Sequence, residues 1–270
     1  MPDKKVAIIT GASKGIGLAL AKIMASEGYQ LCLAFRDMNL ADEVRNFVTL
    51  SEADLILVKA DVSVQEDCKM IVEQCLQKFG RLDILVNNAG ITMRGLFHQL
   101  KPDAFKKVVD VNFWGTVWCT YYAMPYLLQR KGVVMGVSSI AGFKGLPTRT
   151  AYSASKFAME GFLDALRTEN LETGVDVLVF RPGFTATNIR NSALSGDESK
   201  TGNWEKKEVK EMTAESVAQL MFEAIEKRKN GIVLTLNGKL AWFLNKWFPN
   251  WVSRLFLNHV KKEEGSPLKQ

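Results

Sequence analysis

The chain has 270 residues, 47% hydrophobic and 24% charged, which is enough apolar material for one large core beneath an ordinary soluble surface. Its net charge of +6 is unevenly placed, because Lys239, Lys246, Arg254, Lys261 and Lys262 fall in a stretch with no acidic residue. The body therefore lacks the basic stripe of a nucleic-acid partner, and no apolar run reaches the ~18–20 residues of a membrane span.

Cys32, Cys68, Cys75 and Cys119 show no C-x-x-C spacing and sit in apolar or helical stretches, which predicts a reduced, cytoplasmic setting. His98 and His259 lie far apart in sequence, so no metal site is expected. The apolar run in MPDKKVAIIT is too short for a signal peptide and reads as the first strand. That strand leads into TGASKGIG, Thr10 to Gly17, and then a helix from Ile16 to Ser26. Glycines at 11, 15 and 17 let a backbone turn off a strand and approach a pyrophosphate, while the helix start offers free N–H groups to the anion. The loop residues Gly11, Ser13, Lys14, Gly15, Ile16 and Gly17 are thus candidate cofactor contacts.

The second strand, QLCLAF, places Phe35 where a nicotinamide nucleotide with a free ribose 2′-OH would meet a carboxylate. Arg36 follows directly, and with Lys14 it suits a 2′-phosphate, so NADP(H) is expected over NAD(H). A shift of one residue would instead make Asp37 the acid that selects NAD. Further along, ADLILVKA, LDILVN, GVVMGVSS, VDVLVF and GIVLTL are short and continuously apolar, as strands covered on both faces are. Helical patterns separate them at Gln65 to Phe79, Pro102 to Gln129 and Ala151 to Glu172. The alternation predicts an α/β fold, a doubly wound parallel sheet of seven strands with helices on both faces. The polar segment from Ser192 to Met212 breaks that rhythm and reads as a mobile excursion, part of a substrate loop over about 184–212.

With NNAG (Asn87 to Gly90) added to TGASKGIG, Asp61–Val62, Asn112 in VNFWG, Ser138–Ser139, YSASK and RPG (Arg181 to Gly183), the chain resembles the short-chain dehydrogenase/reductase family over residues 4 to 235. The resemblance implies a Rossmann-type fold and a catalytic tetrad of Asn112, Ser139, Tyr152 and Lys156. Ser139 is chosen over Ser138 because it stands thirteen residues before the tyrosine, the family's spacing. The same carry-over makes Asp61 and Val62 adenine contacts, and Asn88, Ala89 and Gly90 the cofactor floor. Pro182, Gly183 and Thr187 would meet the nicotinamide end, with Tyr152 and Lys156 also touching the cofactor. Tyr152 and Lys156, four apart on one helix, share a face, and an ammonium there is expected to lower the phenol's pKa. By family relation, Asn112 holds a water that links Lys156 to solvent, and Phe113 to Met124 packs on the sheet and against another subunit, giving a homodimer or homotetramer.

After Gly238 the segment GKLAWFLNKWFPNWVSRLFLNHVKK carries Leu240, Phe243, Leu244 and Trp247 at helical spacing, then Trp251, Val252, Leu255, Phe256 and Val260 beyond Pro249. It reads as two amphipathic helices, either a peripheral membrane contact or a pair packed over the substrate pocket or a subunit. The tail resembles that of a lipid- and steroid-reducing branch of the family that includes dehydrogenase/reductase member 7-like enzymes. Residues 1–238 are thus expected to form the catalytic domain and 239–270 a helical extension. The expected function is NADPH-dependent reduction of a lipophilic ketone. The alternatives are an NAD(P)-dependent alcohol dehydrogenase working in oxidation, and an idle NADP-binding sensor or scaffold.

Overall fold

The computed structural model describes residues 4–182, 212–233, 236–263 and 265–269. Seven strands lie parallel: β1 (Val6–Thr10), β2 (Gln30–Phe35), β3 (Leu55–Lys59), β4 (Ile84–Asn87), β5 (Val133–Val137), β6 (Asp176–Arg181) and β7 (Ile232–Val233). Their order across the sheet is β3-β2-β1-β4-β5-β6-β7. Between them run α1 (Gly15–Ser26), α2 (Ala41–Val48), α3 (Gln65–Phe79), α4 (Pro102–Val109), α5 (Gly115–Arg130), α6 (Thr150–Glu169) and α7 (Ala214–Glu226). A helix pair, α8 (Leu236–Trp247) and α9 (Pro249–Lys262), follows the last strand.

The continuous apolar runs have a direct cause. Val6 and Ile8 point into a layer with Ile71 and Cys75 of α3, Leu127 of α5 and Leu163 of α6. Ala7 and Ile9 point the other way, among Leu20 and Met24 of α1, Val44 of α2 and Met221 of α7. Successive side chains of a strand alternate faces, and here both faces are covered, so polar residues are confined to the strand ends. The start of β4 is tied to the start of β1 by Asp83, which accepts the Val6 N–H at 2.8 Å and pairs with Arg81 at 2.6 Å. Because β1 is flanked by β2 on one side and β4 on the other, the chain reverses winding there. A crevice opens beyond the strands' carboxyl ends at such a point.

Four local outcomes differ from the sequence reading. The helix expected from Pro102 to Gln129 is interrupted by a π-helical turn, Asp110–Trp114, whose extra residue rotates the chain between α4 and α5. The helix expected to reach Glu172 ends at Glu169. The strand expected in GIVLTL is described only at Ile232–Val233, and Leu236 already opens α8, three residues before the expected start of the extension. Helices α2 and α7 were not singled out from sequence; Thr213 caps α7 by accepting from Ser216 N at 3.1 Å. Pro249 begins α9 as expected. The expected substrate loop falls, but for Met212, outside the described residues.

Candidate active site

The crevice begins at the glycine loop. Gly11 has φ +65°, and a Cβ there would lie 2.8 Å from the Ala89 Cα, so a side chain would displace the loop after β4. Asn88 closes the same joint, donating from Nδ2 to the carbonyls of Thr10 at 2.9 Å and Gly11 at 3.1 Å. The Thr10 hydroxyl accepts from the backbone N–H of Asn88 and Ala89 at 3.1 and 3.0 Å. Helix α1 then starts with no side-chain cap and no acid in its first turn. Its first N–H groups therefore remain available to an anion.

In front of this joint lies a cavity of about 400 Å³. Gly11, Ser13, Lys14, Gly15, Ile16, Arg36, Asp61, Val62, Asn88, Ala89 and Gly90 all line it. Gly17 instead sits behind, where a Cβ would stand 2.5 Å from Asn88 Nδ2. Phe35 is the buried last residue of β2, and the exposed Arg36 stands 3.6 Å from Asp61. Burial pushes the Asp61 carboxyl up, but hydrogen bonds from Ser63 and the nearby Arg36 guanidinium outweigh it and hold it below the ordinary range. Asp37 turns its carboxylate to the short 3-10 turn Met38–Leu40, accepting from Asn39 N at 3.1 Å. A cavity with apolar walls at Val62, Ile91 and Val111, a glycine-lined floor and a basic rim fits a dinucleotide.

The tetrad residues converge beside it. Asn112 rides the π-helical turn into complete burial. Its Oδ1 accepts from Ile91 N at 2.8 Å, and its Nδ2 donates to the Ile91 carbonyl and the Ser155 hydroxyl, each at 2.9 Å. The side chain thus fastens the loop after β4 to α6. Tyr152 and Lys156 lie on the inner face of α6, 9% and 3% exposed. Lys156 donates from Nζ to the Val137 carbonyl at 2.7 Å, and Nζ stands 6.0 Å from the Tyr152 ring centroid. A Cβ on Gly90 would be 3.3 Å from Asn112 Oδ1 and 3.7 Å from Lys156 Nζ, so the tetrad abuts the cavity floor. Ser139 ends β5's exit and caps the turn Ile140–Gly142.

Burial pushes the Lys156 ammonium down to about 8, against the opposing charge of Glu160. The Tyr152 phenol moves the other way. Burial raises it, and the Ser139 hydroxyl and Arg149 only partly offset that rise. The expected lowering of the phenol's pKa by Lys156 is therefore not met. The ammonium is engaged by the Val137 carbonyl, and removing a phenolate from water costs more than its partners return.

The helix pair reaches this rim. Lys144, just after the Ser139 turn, donates to the Pro249 carbonyl at 3.1 Å and to Ser253 Oγ at 2.7 Å. Asn245 donates to the Phe143 carbonyl at 3.2 Å, and Arg94, in the loop after β4, pairs with Glu263 at 3.3 Å. Val252 and Val260 face inward, whereas Leu240, Phe243, Trp247, Phe248, Trp251 and Leu255 are exposed.

Of the residues expected at the site, Gly183 and Thr187 lie outside the described residues; Pro182 directly follows β6. Sequence reasoning gave no role to Thr10, Ser155 or Glu160. Only Glu160 left a signal, since it stands four residues beyond Lys156 and so shares its helix face. Among the described residues no cluster of His, Cys, Asp or Glu could hold a metal, and no helix is long and apolar enough to cross a membrane.

A family model described as short chain dehydrogenase matches residues 5–198. Mouse "Dehydrogenase/reductase SDR family member 7B" is 33% identical over 97% of this chain and 83% of its own length. An Arabidopsis thaliana protein, "11-beta-hydroxysteroid dehydrogenase-like 4A", is 40% identical over 72% of this chain and 65% of its own. A solved short-chain dehydrogenase/reductase from Burkholderia phymatum, in complex with NAD, superposes with a TM-score of 0.74 at 26% identity, covering 84% of this chain and 88% of that one.

Proposed function

This chain belongs to the short-chain dehydrogenase/reductase family of NAD(P)-dependent oxidoreductases, and from that premise we propose that it reduces a lipophilic ketone with NADPH. The observation that carries the proposal is the buried Tyr152–Lys156 pair on α6, set beside Ser139 and opening on the glycine-floored cavity. Gly11, Gly15, Asn88, Ala89 and Gly90 would hold the nucleotide's backbone, with Arg36 and Lys14 toward a 2′-phosphate and Asp61 and Val62 toward the adenine. A nicotinamide bound there would supply hydride to the carbonyl carbon.

The protein's own residues handle the proton and the charge. A phenol held above its usual pKa is protonated at neutral pH, the form needed to donate to a carbonyl oxygen as negative charge grows on it. Ser139 stabilises that oxygen by hydrogen bonding, an interaction that strengthens toward the transition state. Lys156, held by the Val137 carbonyl beside Gly90 of the cavity floor, would contact the bound nucleotide, and Asn112 holds the surrounding loop in place. Pro182, Gly183 and Thr187 belong to this reading as nicotinamide-side contacts.

The lipophilic substrate is supported by the exposed Trp and Phe side chains of α8 and α9 at the rim, and by a steroid dehydrogenase-like relative. The same helix pair, with five basic residues in its segment, supports peripheral contact with an anionic membrane surface. A cavity of about 600 Å³ among Tyr121, Tyr122, Tyr126 and Phe162, on the outer side of α3, α5 and α6, supports self-association there. Replacing Tyr152 by Phe tests the central assignment. Turnover of a ketone with NADPH should fall by about 10²- to 10⁴-fold, with NADPH affinity nearly unchanged. Retention of wild-type turnover would remove Tyr152 from the mechanism.

A further inference from the structure

Behind the tetrad lies a polar cluster centred on Glu160, whose side chain is 13% exposed. Arg181, the last residue of β6, grips the carboxylate with both ends of its guanidinium, Nε to Oε1 at 2.8 Å and Nη2 to Oε2 at 2.6 Å. Ser138, the neighbour of Ser139, donates from Oγ to the same Oε1 at 2.5 Å. A Cβ on Gly142 would come within 2.2 Å of Glu160 Oε1 and 2.4 Å of Ser138 Oγ, so the absence of a side chain there makes room for the cluster.

One carboxylate thereby joins three segments that carry separate parts of the chemistry. Helix α6 brings Tyr152 and Lys156, the exit of β5 brings Ser139, and the exit of β6 leads into Pro182 and Gly183. We propose that Glu160 is a positioning residue, which fixes the exits of β5 and β6 to α6 and so sets Ser139 against the Tyr152–Lys156 pair. The assignment rests on the carbonyl-reductase reading. Stability alone is a poor reason for such a cluster, because a buried ion pair is often no more stabilising than packed apolar side chains of similar volume. Precise placement is a better one, since transition-state contacts are lost with shifts of an ångström. The charge of Glu160 also favours the Lys156 ammonium against its burial.

Two full-length variants test this, with 9,10-phenanthrenequinone as the carbonyl probe. Glu160→Gln keeps the shape and an acceptor for Ser138 but removes the charge. The double variant Glu160→Met with Arg181→Met removes the pair without leaving a buried charge alone. In both, kcat should fall about tenfold or more while KM for the quinone and Kd for NADPH stay within about threefold, the pattern of a lost transition-state contact. A folded double variant with kcat within about twofold of wild type would reduce the cluster to packing and overturn the proposal. If the wild type reduces no quinone, the reductase reading fails, and amide hydrogen exchange over residues 138–142 decides the positioning role separately. Faster exchange there in Glu160→Gln supports it, and unchanged exchange overturns it.

Discussion

Arg36 leaves β2 more than half exposed and only loosely paired with Asp61, while Asp37 is engaged as the cap of the following turn. A nucleotide entering the cavity thus meets a guanidinium where selection for a bare ribose would need an acid. Arg36→Asp should weaken NADPH by about ten- to a hundredfold, the ~1.5–3 kcal/mol of one charge-assisted contact, and leave NADH nearly unchanged in fluorescence titrations. Equal wild-type affinity for the two nucleotides would contradict this. Lys156 makes a second prediction, on stability. Its folded pKa of about 8 lies below the ordinary lysine value near 10.4, so below pH 8 it is charged in both states and the folded protein bears the full cost of burial. Between those values the folded protein loses its proton first, and stability rises with pH. Denaturation curves should show wild type gaining up to about 3 kcal/mol on Lys156→Met between pH 8 and 10.4, whereas parallel pH profiles would refute the burial account. The pair itself was legible because its spacing is local. Glu160 was only half legible, since its partners Ser138 and Arg181 lie 22 and 21 residues away on either side and meet it through the sheet.

Helices and strands with one periodicity were readable, and the junctions between them were not. The π-helical turn at Asp110–Trp114 leaves the apolar pattern on either side intact, so Pro102 to Gln129 reads as one helix although the break is what buries Asn112. Leu236 continues the apolar run of β7, so composition cannot mark where the strand gives way to α8. In the helix pair, pattern alone could not choose the inner face. The structure turns Val252 and Val260 inward and leaves Trp247 and Trp251 at 69% and 52% exposure, the surface on which the proposed membrane contact rests. Lys246 lies 3.8 Å from the Trp242 ring centroid, a cation and an aromatic presented together. Flotation with phosphatidylserine-containing vesicles should therefore recover the protein at low salt and lose it as salt rises. Trp247→Glu with Trp251→Glu should abolish flotation and leave NADPH affinity unchanged. Equal flotation of wild type and variant would assign the face to another protein surface.

At the scale of the whole molecule, the two structural layers meet on a sheet whose centre is assembled from distant pieces. The parallel arrangement was legible, because alternating strand and helix patterns permit few topologies. Strand order was not, since β1 and β4 pair across more than seventy residues with nothing local to announce it. That pairing has a consequence for the protein's biogenesis. While the chain is being synthesised, β1, β2 and β3 emerge together with α1 to α3 and can pair, but one edge of β1 stays open until β4 follows. The open edge is entirely apolar, Val6 to Ile9, and lacks the Asp83 carboxylate that later accepts the Val6 N–H. Unpaired apolar edges recruit other chains. The nascent protein is thus open to misassembly at this edge until residues 83–87 leave the ribosome, before Ser139, Tyr152 and Lys156 have emerged.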